Sequence, residues 1–132
     1  MSGRAADSKA VGDAINSLDL VGKTTGHGAE VFNDYKNNVA TGDYSHAEGE
    51  NTRAIGIASH AEGVNTSAWG ESSHAEGYET SIEEYGHYAH AEGCRTLANG
   101  IGSHVEGGET YTTESASYAH AEGYGTVATN YG

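Results

Sequence analysis

Histidine and glutamate recur two residues apart at six places in this sequence, each time within the phrase Ser/Ala-His-Ala/Val-Glu-Gly. Imidazole and carboxylate groups bind transition metals and transfer protons, and a neighbouring serine would complete the set of a nucleophilic triad. The six pairs are His46 and Glu48, His60 and Glu62, His74 and Glu76, His90 and Glu92, His104 and Glu106, and His120 and Glu122. What they can do depends on how the chain orients them.

The spacing of the phrases predicts the architecture. They begin 14 residues apart, or 16 apart in two cases, and a threonine follows seven residues after the start of each. Such a unit is too short for a pair of helices but fits one coil of a β-solenoid with two short strands. Glycine lies three residues before most phrases, from Gly42 to Gly100, where we expect a turn with positive φ. We therefore predict an all-β parallel β-roll whose 14-residue coils stack roughly 4.8 Å apart.

Alternation along each strand assigns the faces of the coil. In the phrase at Ser45, His46 and Glu48 point one way while the small residues point the other, toward the small residues of the second strand. The His and Glu face is the same in every coil, whereas the opposite outer face varies. A face that repeats without change favours a repeated environment, such as a symmetry-related copy of the same rod.

Two interpretations of this ladder follow. At an interface each carboxylate needs a partner, because an unpaired buried charge is costly, so we predict interchain His-Glu hydrogen bonds along the axis. The alternative is a solvated stripe with no special role. Catalysis is not expected, because Ser45 and His46 point to opposite faces of a strand and six copies do not make one active site. We expect no metal and no cofactor, since regular repetition favours a structural role.

The composition restricts the classes of partner that we expect. The chain has 132 residues, a net charge of −13 and only six Lys and Arg residues, which argues against nucleic acid as a partner. No apolar stretch is long enough to insert into a membrane, and the N-terminus lacks a secretory signal. The single Cys94 cannot form an intrachain disulfide.

The repeats from Thr41 to Gly132 resemble the head repeats of YadA-like trimeric autotransporter adhesins, and more closely the SHAEG repeats of phage and prophage tail-fibre or neck-appendage proteins. In the adhesin phrase, Val and Ile stand at the positions of His46 and Glu48. The resemblance implies a left-handed β-roll, a homotrimer around one axis, and a structural or adhesive role in host attachment as part of a virion. A bacterial adhesin head on the cell surface and a shaft without a receptor are the alternatives.

Two repeat units are longer by two residues, Tyr78 to Tyr88 and Gly108 to Tyr118, and both are rich in tyrosine. We expect their loops to protrude. Exposed aromatic rings stack well on sugars and on protein surfaces. The candidate patch for a cell-surface glycan or protein receptor comprises Trp69, Tyr85, Tyr88, Tyr111 and Tyr118. Alternatively, these tyrosines only cover the edges of the coils.

The chain divides into three predicted parts. Residues 1–21 form a short helix, in which Val11, Ile15 and Leu18 have the spacing of a coiled-coil seam. This helix would either join a trimeric coiled coil or cap the first coil. Residues 22–40 are a linker and lead-in, and residues 41–132 form the β-roll domain.

Overall fold

The structure is a computed structural model that describes residues 23–32 and 37–131. It is an all-β parallel solenoid, as predicted, and the described residues contain no α-helix. Two parallel sheets of eight and seven strands face each other, and the chain alternates between them. The N-terminal helix predicted over residues 1–21 lies outside the described residues.

The long strands carry the His-Glu phrases and form the seven-stranded sheet. They are β2 (Glu30–Phe32), β4 (His46–Glu50), β6 (His60–Val64), β8 (His74–Tyr78), β10 (His90–Cys94), β12 (His104–Gly108) and β14 (His120–Tyr124). The short strands form the other sheet: β1 (Lys23–Thr24), β3 (Val39–Ala40), β5 (Arg53–Ala54), β7 (Ser67–Ala68), β9 (Ser81–Ile82), β11 (Leu97–Ala98), β13 (Tyr111–Thr112) and β15 (Val127–Ala128). Each strand pairs with its equivalent in the next coil, so that His46 lies beside His60 and His60 beside His74.

The core is a set of columns of small side chains. Alanine from the long strands, such as Ala61, meets alanine from the short strands, such as Ala68, and both are fully buried. The serine column and the threonine column from Thr52 to Thr110 are buried as well, and the hydroxyl of Ser73 donates to the carbonyl of Gly70 at 2.6 Å. The alternation of the sequence predicts this inward face. A core so thin has no room for large side chains in most coils.

The two longer coils are built differently inside. Their inward short-strand residue is Ile82 or Thr112, where most other coils have alanine, and both are buried. Relative to the 14-residue coils, Glu84 and Tyr85 are the extra residues of the first longer coil, because Gly86 takes the place of Gly70. The larger side chain of Ile82 fills the space that the lengthened loop encloses. Its Cγ2 would lie 2.6 Å from a Cβ placed on Gly86.

The turn glycines serve a different purpose from the one we predicted. The column from Gly42 to Gly100 does not have positive φ; left-handed backbone occurs instead at residues such as Tyr44, Asn65 and Tyr88. These residues donate their N–H to the preceding coil, as Asn65 does to Glu50 at 2.9 Å. A Cβ on Gly42 would lie 2.0 Å from the carbonyl oxygen of Gly56. Close stacking of the coils, not left-handed backbone, therefore requires these glycines.

The stack of coils extends upstream of the recognisable repeats. Residues 22–40, predicted as linker and lead-in, contribute β1, β2 and β3 to the two sheets. Glu30 pairs with His46, and Phe32 with Glu48, so this segment is an additional coil with altered outward residues. Asn38 replaces the buried threonine: its Oδ1 accepts hydrogen bonds from the N–H and the hydroxyl of Thr52, both at 2.9 Å.

Candidate functional site

The six histidines form one column on the outer face of the long-strand sheet, and the five rings from His60 to His120 are stacked. From His60 to His120 the neighbouring rings lie 4.7 to 5.0 Å apart, and their planes differ by only 2° to 11°. This spacing follows from the distance between adjacent strands, because equivalent residues lie side by side in a parallel sheet. The side chains of His60 and Glu62 are 36% and 31% exposed. From His46 to Glu106 the His-Glu ladder is thus half-buried with one edge open, whereas Glu122 at its end is 72% exposed.

Each histidine contacts the glutamate of the preceding coil. Nε2 of His74 donates to Oε1 of Glu62 at 3.2 Å, and Nε2 of His120 donates to Oε1 of Glu106 at 3.2 Å. His90 and Glu76 are joined at 3.4 Å. The structure therefore forms His-Glu pairs within one chain, between coils. The predicted interchain pairing stays a prediction.

Glutamates and glycines of successive coils line an open groove of about 810 Å³. It runs along the stack from Phe32 to Gly107, with the column of phrase glycines as its other lining. These glycines have positive φ, for example 118° at Gly77. Because they have no side chain, the backbone is accessible from the groove over five coils. The groove is acidic and repeats with the same rise as the coils.

The first step of the ladder differs from the others. The rings of His46 and His60 are 4.9 Å apart but nearly perpendicular, at 82°. Phe32 stacks on the other side of His46, at 5.5 Å. The pKa of the Glu48 carboxyl is lowered, chiefly by a hydrogen bond with Glu62 and also by the charge of nearby His46, while partial burial acts in the opposite direction. The regular stacking of the ladder therefore begins only at His60.

The hydroxyl of the phrase serine lies apart from the histidine. Ser45 is buried, and its Oγ donates to the carbonyl of Gly42 at 2.6 Å. The side chain of His46 lies on the outer face, 30% exposed. The two groups that a nucleophilic triad would bring together are thus on opposite faces of β4.

The five residues of the candidate receptor patch are all exposed, between 42% for Tyr111 and 61% for Tyr88 and Tyr118. They do not all share one surface. Tyr88 and Tyr118 hold the same turn position two coils apart, next to the long strands, whereas Trp69 and Tyr111 belong to the short-strand side. Among the described residues no ring contact joins two of the five.

Sequence reasoning missed three residues beside these sites. Tyr44 is 64% exposed and occupies the same turn position as Tyr88 and Tyr118. Glu30 and Phe32 extend the ladder upstream of His46. The signal that could have revealed Glu30 and Phe32 is the pattern Ala29-x-Val31 after Gly26, which preserves the inward residues and changes the outward ones.

No protein-family model, curated protein or solved structure matches this chain. Within the part of the chain that the structure describes, no helix has the length and apolarity needed to cross a membrane.

Proposed function

We propose that this chain is a structural and adhesive module of a homotrimeric fibre of the phage or prophage tail type, built as a left-handed β-roll and acting in host attachment at the virion surface. The observation that carries the proposal is the half-buried ladder of identical His and Glu side chains, repeated at the rise of the coils.

A regularly repeating face favours a regularly repeating partner. The ladder extends over six coils and its acidic groove over five, and a partner that contacts every coil equally must have the same rise. An identical rod aligned in register has that rise by construction, and closed cyclic symmetry lets each rod offer and receive the same contacts. If neighbouring rods covered the open edge of the ladder, they would supply further hydrogen-bond donors to its half-exposed carboxylates. This supports identical rods around a shared axis, and the number three is what the resemblance to trimeric fibres implies.

Trimer formation is testable by mass. Light scattering on the purified chain is expected to give three times the chain mass of 13.6 kDa. Glu62→Arg, which replaces the carboxylate beside His60 and His74 with a guanidinium, is expected to lower the mass to that of one chain. Glu83→Arg makes the same charge change beyond β9, on the short-strand side, and is expected to leave the trimer intact. An unaltered chain that is monomeric and folded would refute the trimer.

The adhesive part of the proposal rests on the exposed tyrosines of the turn edge. Tyr88 and Tyr118 are each 61% exposed and lie along one edge of the rod. Aromatic rings that lie two coils apart on one edge can present their apolar faces to a sugar or a protein. The same geometry would serve a bacterial surface adhesin head, while a shaft without receptor would not need the rings.

Binding experiments distinguish these roles. The double change Tyr88→Ser and Tyr118→Ser is expected to abolish binding on a glycan array, or to host cells, without altering the mass of the assembly. Tyr124→Ser removes a ring that is 78% exposed at the end of a long strand, outside this edge, and serves as the control. Attachment that survives the double change would favour the purely structural shaft.

A further inference from the structure

The first step of the ladder brings together three metal-ligating side chains of one chain. Nε2 of His60 lies 3.4 Å from Oε1 of Glu48, and Nε2 of His46 lies 3.7 Å from the other Glu48 oxygen. The three ligand atoms lie within 4.8 Å of one another. Ligands held about 2.0 to 2.1 Å from a tetrahedral zinc ion are about 3.3 Å apart. Small rotations of these half-buried side chains would bring the three ligand atoms to that separation around one ion.

Ring orientation separates this group from the rest of the ladder. An imidazole lone pair lies in the plane of its ring, so stacked parallel rings direct their nitrogens side by side instead of toward a common point. His60 and His74 are parallel within 2°, whereas His46 is turned by 82° from His60. His60, Glu62 and His74 form the other group with two histidines, but their rings are parallel, and the three groups further downstream contain a single histidine each. The first step is therefore the one where two imidazoles can converge on an ion.

One unpaired atom and one further contact support the site. Nε2 of His60 is buried and makes no hydrogen bond, a property that it shares with Nε2 of His104 further along the ladder. Oε2 of Glu30 lies 3.6 Å from Nδ1 of His46. A carboxylate on the far ring nitrogen is the usual means of orienting a metal-bound histidine. Glu30, one coil upstream, is thus a positioning residue for His46.

We propose that His46, Glu48 and His60 bind one divalent transition-metal ion of the zinc class, with Glu30 orienting His46. Imidazole and carboxylate ligands favour zinc and its neighbours over calcium, and the net charge of −13 attracts cations in general. The ion joins β4 to β6, and through Glu30 it also restrains β2. The ion therefore links three successive coils in the upstream part of the described stack. This departs from the expectation of no metal, which rested on all coils being equivalent.

The test uses the full chain stripped with EDTA and titrated with Zn²⁺ alone by calorimetry, and with Co²⁺ followed by visible absorption. We expect one Zn²⁺ per chain, a Co²⁺ spectrum of low coordination number, and a higher melting temperature with Zn²⁺. His46→Gln and the isosteric Glu48→Gln should each abolish the bound equivalent. Glu30→Gln should keep one equivalent but weaken it about 10- to 100-fold.

His90→Gln is the matched control, because it removes a histidine of the same strand position from the parallel part of the stack. It should bind Zn²⁺ as the unaltered chain does. Equal weakening by His46→Gln and His90→Gln, Ca²⁺ binding as tight as Zn²⁺ binding, or no saturable Zn²⁺ at all would each overturn the site. All ligands belong to one chain, so a monomer in light scattering would refute the trimer and leave this proposal standing.

Discussion

Gly77→Ala is expected to destabilise the protein by about 3 kcal/mol or more, the sum of backbone strain and a forced shift of the next coil. Gly77 has a φ of 118°, which L side chains rarely adopt, and a Cβ built there would lie 2.1 Å from the carbonyl oxygen of Gly93. The obstructing atom belongs to the backbone of the adjacent strand, so it cannot rotate away. Urea unfolding followed by circular dichroism measures the loss, at one chain concentration for all variants because assembly shifts apparent stability.

Gly123→Ala separates the two causes. Gly123 holds the same strand position with a φ of 105°, yet the nearest atom to a Cβ there is Oγ1 of Thr126 at 3.5 Å. This change retains the backbone strain, about 1 to 3 kcal/mol, without the collision. If both substitutions lower the free energy of unfolding equally, the close approach of neighbouring coils is not what requires glycine in this column.

Ile82→Ala is expected to cost about 2 to 5 kcal/mol, the usual range for emptying a fully buried aliphatic site. Ile82 is 0% exposed and is, among the described residues, the largest fully buried side chain in a core otherwise made mostly of alanine, serine and threonine. Few neighbouring side chains are long enough to fill the cavity. The midpoint of thermal or urea unfolding reports the loss. Ile57→Ala, at a side chain that is 53% exposed, should stay within about 0.5 kcal/mol of the unaltered chain.

The length of the coil should determine which side chain fits inside it. Ala68→Ile, in a coil of 14 residues, is expected to destabilise by about 1 to 3 kcal/mol through overpacking. Deleting Glu84 and Tyr85 together with Ile82→Ala converts the longer coil to the common type and should cost less than the sum of the separate changes. Additive losses would show that loop length and core volume are independent here.

Much of the architecture was predictable because the side chains that point inward recur from coil to coil. Period-two alternation about Ala61 and Ala68 placed the small side chains inside and the His-Glu ladder outside, and their burial agrees. Side-chain direction on a strand depends only on position, which the phrase spacing determines. The same spacing predicted that the six histidines occupy equivalent positions in successive coils.

Other features could not be predicted from the spacing of the repeat phrases. The additional coil upstream escaped notice because Glu30 and Phe32 replace the ladder residues and Asn38 replaces the buried threonine. Left-handed backbone lies at Tyr44 and Tyr88, residue types with no preference for it, because N–H groups there bond to the preceding coil. The turn of the His46 ring relative to His60 is a matter of side-chain rotation, which a strand pattern does not determine.

The strict column register has a consequence for how such a molecule changes over generations. Each coil contacts only the coils before and after it, so the stability of the stack is nearly a sum of terms for single coils and for neighbouring pairs. Duplication or loss of one 14-residue segment, such as the one that runs from Ser59 to Ser72, would restore the strand pairing and the inward columns at the new junction. Unequal recombination between copies can therefore lengthen or shorten the rod in steps of one strand spacing, roughly 4.8 Å, without redesigning its lateral surfaces.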